Sequence, residues 1–169
     1  MAVSKEPPLS HNLYLLLGAN LGDKAQTVAL ARRYVAEQIG SIVLESGLYE
    51  TAAWGITDQP SYLNQVLLVV TYLTPTSVLT HTLAIEERLG RVRAEKWGAR
   101  VIDIDLLFYD GLILNTPTLT LPHPLLHKRR FTLVPLTEIA PGFVHPVLKQ
   151  TIQTLLDDCS DEGEVIKFS

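Results

Sequence analysis

The sequence predicts an α+β domain in which strands and helices follow the order β-α-β-β-α-β around an antiparallel sheet. Strand-length apolar runs such as Leu13–Leu17 and Val66–Val70 alternate with two stretches of helical length. Helix-start signals, Asp23 and Thr74-Pro75, stand immediately ahead of those two stretches. No repeat of 20 to 50 residues and no low-complexity tract interrupts this order.

Taken in order, residues 1–10 contain Lys5, Glu6, Pro7 and Pro8 and read as a loose leader. Leu13–Leu17 reads as a buried strand, and Gly18-Ala19-Asn20-Leu21-Gly22 as the turn after it. Asp23 caps a helix running to about Gln38, with Gly40 as its stop. Ser41–Tyr49 reads as the second strand, with Ile42, Leu44 and Leu48 apolar. A loop over 50–61 contains Gly55 and Pro60, and Tyr62–Tyr72 is a β-branched third strand. Thr74-Pro75-Thr76 opens a second helix in which Val78, Leu79, Leu83, Ile85 and Leu89 approximate helical spacing, ending at Gly90. After a basic loop comes a fourth strand, Ile102–Tyr109, and Asp110-Gly111 marks a hairpin turn into Leu112–Leu114. Six prolines between Asn115 and Pro146 predict irregular chain, followed by a last helix over Leu148–Leu156. An acidic tail occupies 159–169, so 11–158 form the domain. This order is that of the split βαβ, or ferredoxin-like, motif with C-terminal extras. Both helices then pack on one face of the sheet, and the other face is left free to carry a site.

Composition narrows the classes of function. A chain of 169 residues is long enough to bury roughly 70% of its unfolded surface. An apolar fraction of 47% and a charged fraction of 19% describe a globular protein, not a disordered one. The single cysteine, Cys159, excludes a disulfide framework and a thiolate zinc site. Net charge of −4 gives no bulk attraction for nucleic acid or an anionic membrane. The apolar runs are far shorter than the roughly 20 residues that span a bilayer, and the first residues lack an apolar stretch behind a basic start. A cytoplasmic protein is expected.

Ile102-Asp103-Ile104-Asp105-Leu106 carries the clearest chemical signal. Alternation along a strand puts Ile102, Ile104 and Leu106 on one face and Asp103 with Asp105 on the other. Their Cα atoms would lie roughly 6.6 Å apart in extended chain. Two carboxylates so spaced can share a pair of hard cations, which lie about 3.5–4 Å apart in two-metal sites. An amphipathic strand with one solvated face gives the same pattern, although aspartate is depleted in strands. Next to the doublet, Gly90–Arg100 holds Arg91, Arg93, Lys96 and Arg100 against one anion, Glu95. Guanidinium forks suit phosphate oxygens, and magnesium carboxylates beside arginines are what phosphoryl-type transfer requires. A second basic set, His123, His127, Lys128, Arg129 and Arg130, reads as the other wall of the same anion site. Trp54, Tyr62, Asn64 and Phe131 could hold a flat heterocycle by stacking and edge hydrogen bonds, although on spacing alone ordinary core packing is the preferred reading. GxxxxGK[ST], GxSxG, HExxH and GxGxxG are all absent. His11, His81, His145 and Cys159 read as structural or inert.

The run Lys96-Trp97-Gly98-Ala99-Arg100-Val101-Ile102-Asp103-Ile104-Asp105-Leu106-Leu107 resembles the signature of the 6-hydroxymethyl-7,8-dihydropterin pyrophosphokinase family. The resemblance extends to Gly18–Gly22, Asp58–Asn64, Gly90–Arg93, Leu121-Pro122-His123, Arg129-Arg130-Phe131 and Glu138–Pro141, in that order. It implies a ferredoxin-like fold and transfer of the diphosphate of ATP to the hydroxymethyl group of the dihydropterin, with release of AMP. It implies that Asp103 and Asp105 hold two Mg²⁺ ions. Arg91, Arg100, His123 and Arg129 match triphosphate contacts, and Arg93 and Trp97 lie on a mobile catalytic loop. Tyr62 and Phe131 match the pair that sandwiches the pterin, Asn64 the amide that reads its edge, and Thr51 and Trp54 positions bordering that pocket. Leu106, Leu119 and Thr120 fall where the family cradles adenine. Three departures stand out. Ala99 replaces a common proline, Thr118 replaces an arginine of some members, and Ala94-Glu95-Lys96 is one residue shorter than in some, so which cation of this loop reaches the β-phosphate stays open, with Lys96 the first choice. ATP and the dihydropterin are the expected partners of a monomer. A ferredoxin-like module for single-stranded RNA and an ordinary phosphoryl or nucleotidyl transferase are the competing readings.

Overall fold

The computed structural model describes residues 8–51, 60–90 and 101–168. The strands are β1 (His11–Ala19), β2 (Gly40–Glu45), β3 (Tyr49–Thr51), β4 (Tyr62–Thr71), β5 (Asp103–Tyr109), β6 (Leu114–Asn115), β7 (Thr120–Leu121) and β8 (Val165–Lys167). The helices are α1 (Lys24–Gln38), α2 (Pro75–Arg88), α3 (Arg130–Ile139) and α4 (Ile152–Asp157). The main sheet runs β5-β1-β4-β3-β8, with β2 also pairing β4, and every pairing is antiparallel.

Two apolar layers flank this sheet. On one face Leu13, Leu15 and Leu17 of β1 meet Val28, Ala31 and Val35 of α1 and Val78 and Ile85 of α2. Each such leucine, fully buried, contributes about 1.5–3 kcal/mol of apolar burial. The caps that start these helices are those expected: Asp23 accepts from the Gln26 N–H and Thr74 from the Ser77 N–H. Gly40 is the first residue of β2 instead of a helix stop. A Cβ there would run into the Val70 carbonyl oxygen, so glycine is required by close approach of two strands.

The opposite face is not left free. Tyr14, Leu16, Val66, Leu107 and Phe108 pack beneath Leu133 and Leu136 of α3 and Ile152 and Leu155 of α4. Helices therefore lie on both faces, and most of the surface expected to stay open is covered. Helix α3 falls within the stretch read as irregular. Pro135 sits inside it, where it removes one helical hydrogen bond, but burial of Thr132, Leu133, Pro135 and Leu136 on one face holds the helix. The last helix is shorter than expected, beginning at Ile152 after its Thr151 cap.

Two strand expectations also change. Ser41–Tyr49 is two strands, because side chains take over the ladder between them. The Ser46 hydroxyl accepts the Val66 N–H at 2.9 Å, and the Gly47 N–H goes to Glu138 at 3.0 Å. Leu112–Leu114 does not pair back on β5. Asp110 turns instead to β1, meeting His11 Nδ1 at 2.7 Å and the Asn12 N–H at 2.8 Å, and the small hairpin is β6 with β7. Among the described residues no helix is long and apolar enough to cross a membrane.

Candidate functional site

At one end of the α3-covered face the apolar layer gives way to polar groups. Strand register aligns Asp103 with Gly18, Gly18 with Asn64, and Asn64 with Tyr49 in a single rung across four strands. Asp105 lies opposite Leu16 on the same face, and Tyr62 lies opposite Thr51. The alternation read from the sequence is therefore right: Ile104 and Leu106 enter the α1/α2 core while the two aspartates share the other face. Asn64 is 3% exposed, and its amide donates to Thr51 Oγ1 at 3.3 Å. Gly18 keeps the middle of the rung empty. A Cβ there would stand 2.7 Å from Asn64 Oδ1 and 3.7 Å from the Tyr62 ring.

The edge of β5 beyond the aspartates opens into a cavity of about 280 Å³, near the lower bound of roughly 300 Å³ for small-molecule sites. Asp105, Leu106, Leu119, Thr120 and His123 line it together. Thr118 lines it as well. The β6–β7 turn that forms one wall is held by Thr116, whose hydroxyl accepts the Leu119 N–H and donates to its carbonyl, both at 3.0 Å.

His123 is fixed in this wall through its backbone N–H, donated to Leu107 at 3.0 Å. Its Nδ1 accepts from the Leu125 N–H at 3.2 Å, which leaves the proton of the neutral ring on Nε2. Burial first, and the Arg129 charge second, push the imidazole down to about 4. The folded pKa lies below the unfolded value of 6.5, so this histidine favours the fold above that value and the contribution disappears as pH falls toward 4. The melting temperature of the wild type should thus converge on that of His123→Gln between pH 6.5 and 4. Parallel curves in a thermal melt series would contradict the burial described.

The remaining members of the second basic set are not among the residues that line this cavity. Arg129 places its guanidinium carbon 5.5 Å from the Phe131 ring centroid, within cation–π range. His127 meets the His145 ring edge-on, ring centroids 6.4 Å apart. His145 is buried and structural, accepting two backbone N–H groups on Nδ1. Trp54, Arg91, Arg93, Lys96, Trp97 and Arg100 lie outside the described residues.

Glu86 is a participant that the sequence does not mark. It lies at the end of α2 next to Glu87 and Arg88 and reads as part of a solvated charged turn, yet it is 3% exposed. Its carboxylate accepts the Ile104 N–H at 3.0 Å, so it holds the backbone midway between the two aspartates. Leu79 and Thr116, which also line the cavity, were hidden respectively in a helical apolar pattern and a proline-rich stretch.

Among the described residues no group of three or more His, Cys, Asp or Glu could hold a metal. The donor set offered by Asp103 and Asp105 is two carboxylates, which fits Mg²⁺, an ion commonly held by one or two carboxylates with waters and substrate phosphates. A carboxylate pair beside a base-sized cavity is the equipment of a nucleotide-dependent group-transfer enzyme. Residues 14–141 match the family model for 7,8-dihydro-6-hydroxymethylpterin-pyrophosphokinase. The chain is 48% identical over 132 residues to the 2-amino-4-hydroxy-6-hydroxymethyldihydropteridine pyrophosphokinase of Methylorubrum extorquens, covering 78% of this chain and 84% of that one. The protein of that name from Aquifex aeolicus is 38% identical over 83% of this chain and 88% of its own. A Plasmodium falciparum HPPK-DHPS crystal structure with pteroate superimposes with TM-score 0.74 at 18% identity over 90% of this chain, which spans only 43% of that longer one. The chain belongs to the 7,8-dihydro-6-hydroxymethylpterin-pyrophosphokinase family. It is a transferase of folate biosynthesis that moves a diphosphate group.

Proposed function

We propose that ATP seats its base in the cavity at the β5 edge and that the dihydropterin lies over the Asp103–Gly18–Asn64 rung. The observation that carries this reading is the convergence of Asp105, Leu106, Leu119, Thr120 and His123 on one cavity, continuous through β5 with that rung. Leu106 and Leu119 supply apolar contact for the base, and Thr120 a hydroxyl beside it. The neutral His123 presents its Nε2–H to phosphate oxygen, as a donor that adds no charge. Asn64, held by Thr51, reads the polar edge of the pterin, and Tyr62 and Phe131 cover its faces. Asp103 and Asp105 would hold two Mg²⁺ ions, which when bound neutralise phosphate charge and help align the displacement. Arg91, Arg93, Lys96, Arg100 and Arg129 remove the rest of the repulsion between the triphosphate and the incoming hydroxymethyl oxygen. Trp54 and Trp97 border the pterin. The oxygen bonds to the β-phosphorus as the bond to the α–β bridging oxygen breaks, AMP leaves with that electron pair, and the hydroxyl proton passes to solvent. No side chain is assigned as a base.

The strand order supports a ferredoxin-like topology, with β2 and β3 together as one interrupted second strand. An RNA-binding module needs an open sheet face for its aromatic residues. Burial of that face by α3 and α4 argues against the module. The test is incubation with ATP, Mg²⁺ and 6-hydroxymethyl-7,8-dihydropterin. AMP formed only in the presence of the pterin is expected, and ADP would mark an ordinary kinase.

A further inference from the structure

The acidic C-terminal segment has no part in the chemistry above, yet it is attached to both walls of the pterin subsite. Helix α3 begins without a side-chain cap from its own N-cap residue, Arg129. The acceptor comes from further along the chain: Asp161 Oδ2 takes the Arg130 N–H at 3.0 Å. A carboxylate at that end also meets the positive pole of the helix. Asp161 is itself oriented by the Gly163 N–H, 2.9 Å from Oδ1. Phe131, the residue after Arg130, is the aromatic wall of the subsite.

The same segment then reaches the other wall. Val165–Lys167 pairs antiparallel with Tyr49–Thr51, placing Val165 opposite Thr51. The Phe168 N–H donates to the Leu48 carbonyl at 2.8 Å, and Lys167 Nζ lies 3.2 Å from Glu138 Oε1. Glu138 closes the circuit from α3, its other oxygen accepting the Tyr49 hydroxyl at 2.7 Å and the Gly47 N–H at 3.0 Å. Strand β3 is three residues long. Without β8 it would be paired on one side only, an edge strand too short to be held firmly.

We propose that residues 161–168 clamp the pterin subsite. Asp161 acts as a positioning residue for Phe131, and β8 holds Thr51, the hydrogen-bond partner of Asn64. The clamp rests on the placement of the pterin given above. It acts on that half of the site and not on the nucleotide cavity, none of whose lining residues belongs to 161–168.

The test uses the 169-residue enzyme with Asp161→Ala and Asp161→Asn, and a chain ending at Gly163 as a third variant. Asp161→Ala should raise KM for the dihydropterin about fivefold and leave KM for ATP within about twofold. Asp161→Asn, whose amide oxygen still accepts from Arg130, should stay near wild type. Removal of β8 should act in the same direction and further. Pterin fluorescence titration with a non-hydrolysable ATP analogue gives the same comparison without turnover. A tail that only stabilises would lower the melting temperature and leave the two KM values alone. That result, an equal rise in both KM values, or an Asn variant as impaired as Ala would overturn the proposal. If the shortened chain does not fold, the Asp161 pair decides the matter. Absence of AMP formation by the unaltered enzyme would strike the functional reading instead.

Discussion

Replacing Asp103 or Asp105 by alanine is expected to lower turnover by on the order of 10³-fold while the fold persists. Both carboxylates lie on the half-buried polar end of one strand, opposite Gly18 and Leu16. The apolar residues that hold β5 in place, Ile104 and Leu106, point to the other side of the sheet and are untouched. Loss of either side chain removes half of the proposed oxygen donor set without opening a cavity in either core layer. Metal-assisted charge neutralisation is worth several kcal/mol in such transfers, and each 1.36 kcal/mol is tenfold in rate. The fold should persist, because neither substitution opens a cavity in a core layer. Steady-state AMP formation at saturating Mg²⁺ checks this. Either variant retaining a tenth of wild-type turnover would remove the aspartates from the metal role.

Gly18→Val is expected to abolish pterin binding more completely than any change at the aromatic walls. The glycine stands at the centre of the rung, and even a single Cβ would come 2.7 Å from Asn64 Oδ1. Asn64 cannot swing aside freely, because it is buried and its amide is engaged with Thr51. Overpacking costs about 1–3 kcal/mol at such a position, and the branched side chain would occupy the floor on which the substrate rests. Calorimetry should show dihydropterin affinity falling by at least about tenfold, with the affinity for an ATP analogue within about twofold. Normal pterin binding by a folded Gly18→Val protein would place the heterocycle elsewhere.

Much of this arrangement was legible because local chemistry decided it. The Asp23 and Thr74 caps are read from two or three neighbouring residues, and Ile102–Leu106 alternates strictly enough to assign faces before any pairing is known. The parts that escaped depend on partners distant in the chain. Helix α3 looked irregular because Pro135 is a breaker in isolation. Its stability comes from burial beneath Tyr14, Leu16 and Val66, which local propensity does not report. Glu86 has the composition of a solvated helix end, and only the fold brings the Ile104 N–H to it. Asp161 caps a helix 31 residues upstream, a separation at which no capping pattern is visible. The cavity at the β5 edge is likewise made by a hairpin of two two-residue strands, β6 with β7, folded against that edge.

The most direct measurement is a crystal structure with a non-hydrolysable ATP analogue, the dihydropterin and Mn²⁺ in place of Mg²⁺, the metals located by anomalous scattering. The expected result is manganese density bridging the analogue's phosphates to the carboxylates of Asp103 and Asp105, with the base beside Leu106 and Leu119. Manganese bound to other side chains, with both aspartates turned away from the phosphates, would contradict it.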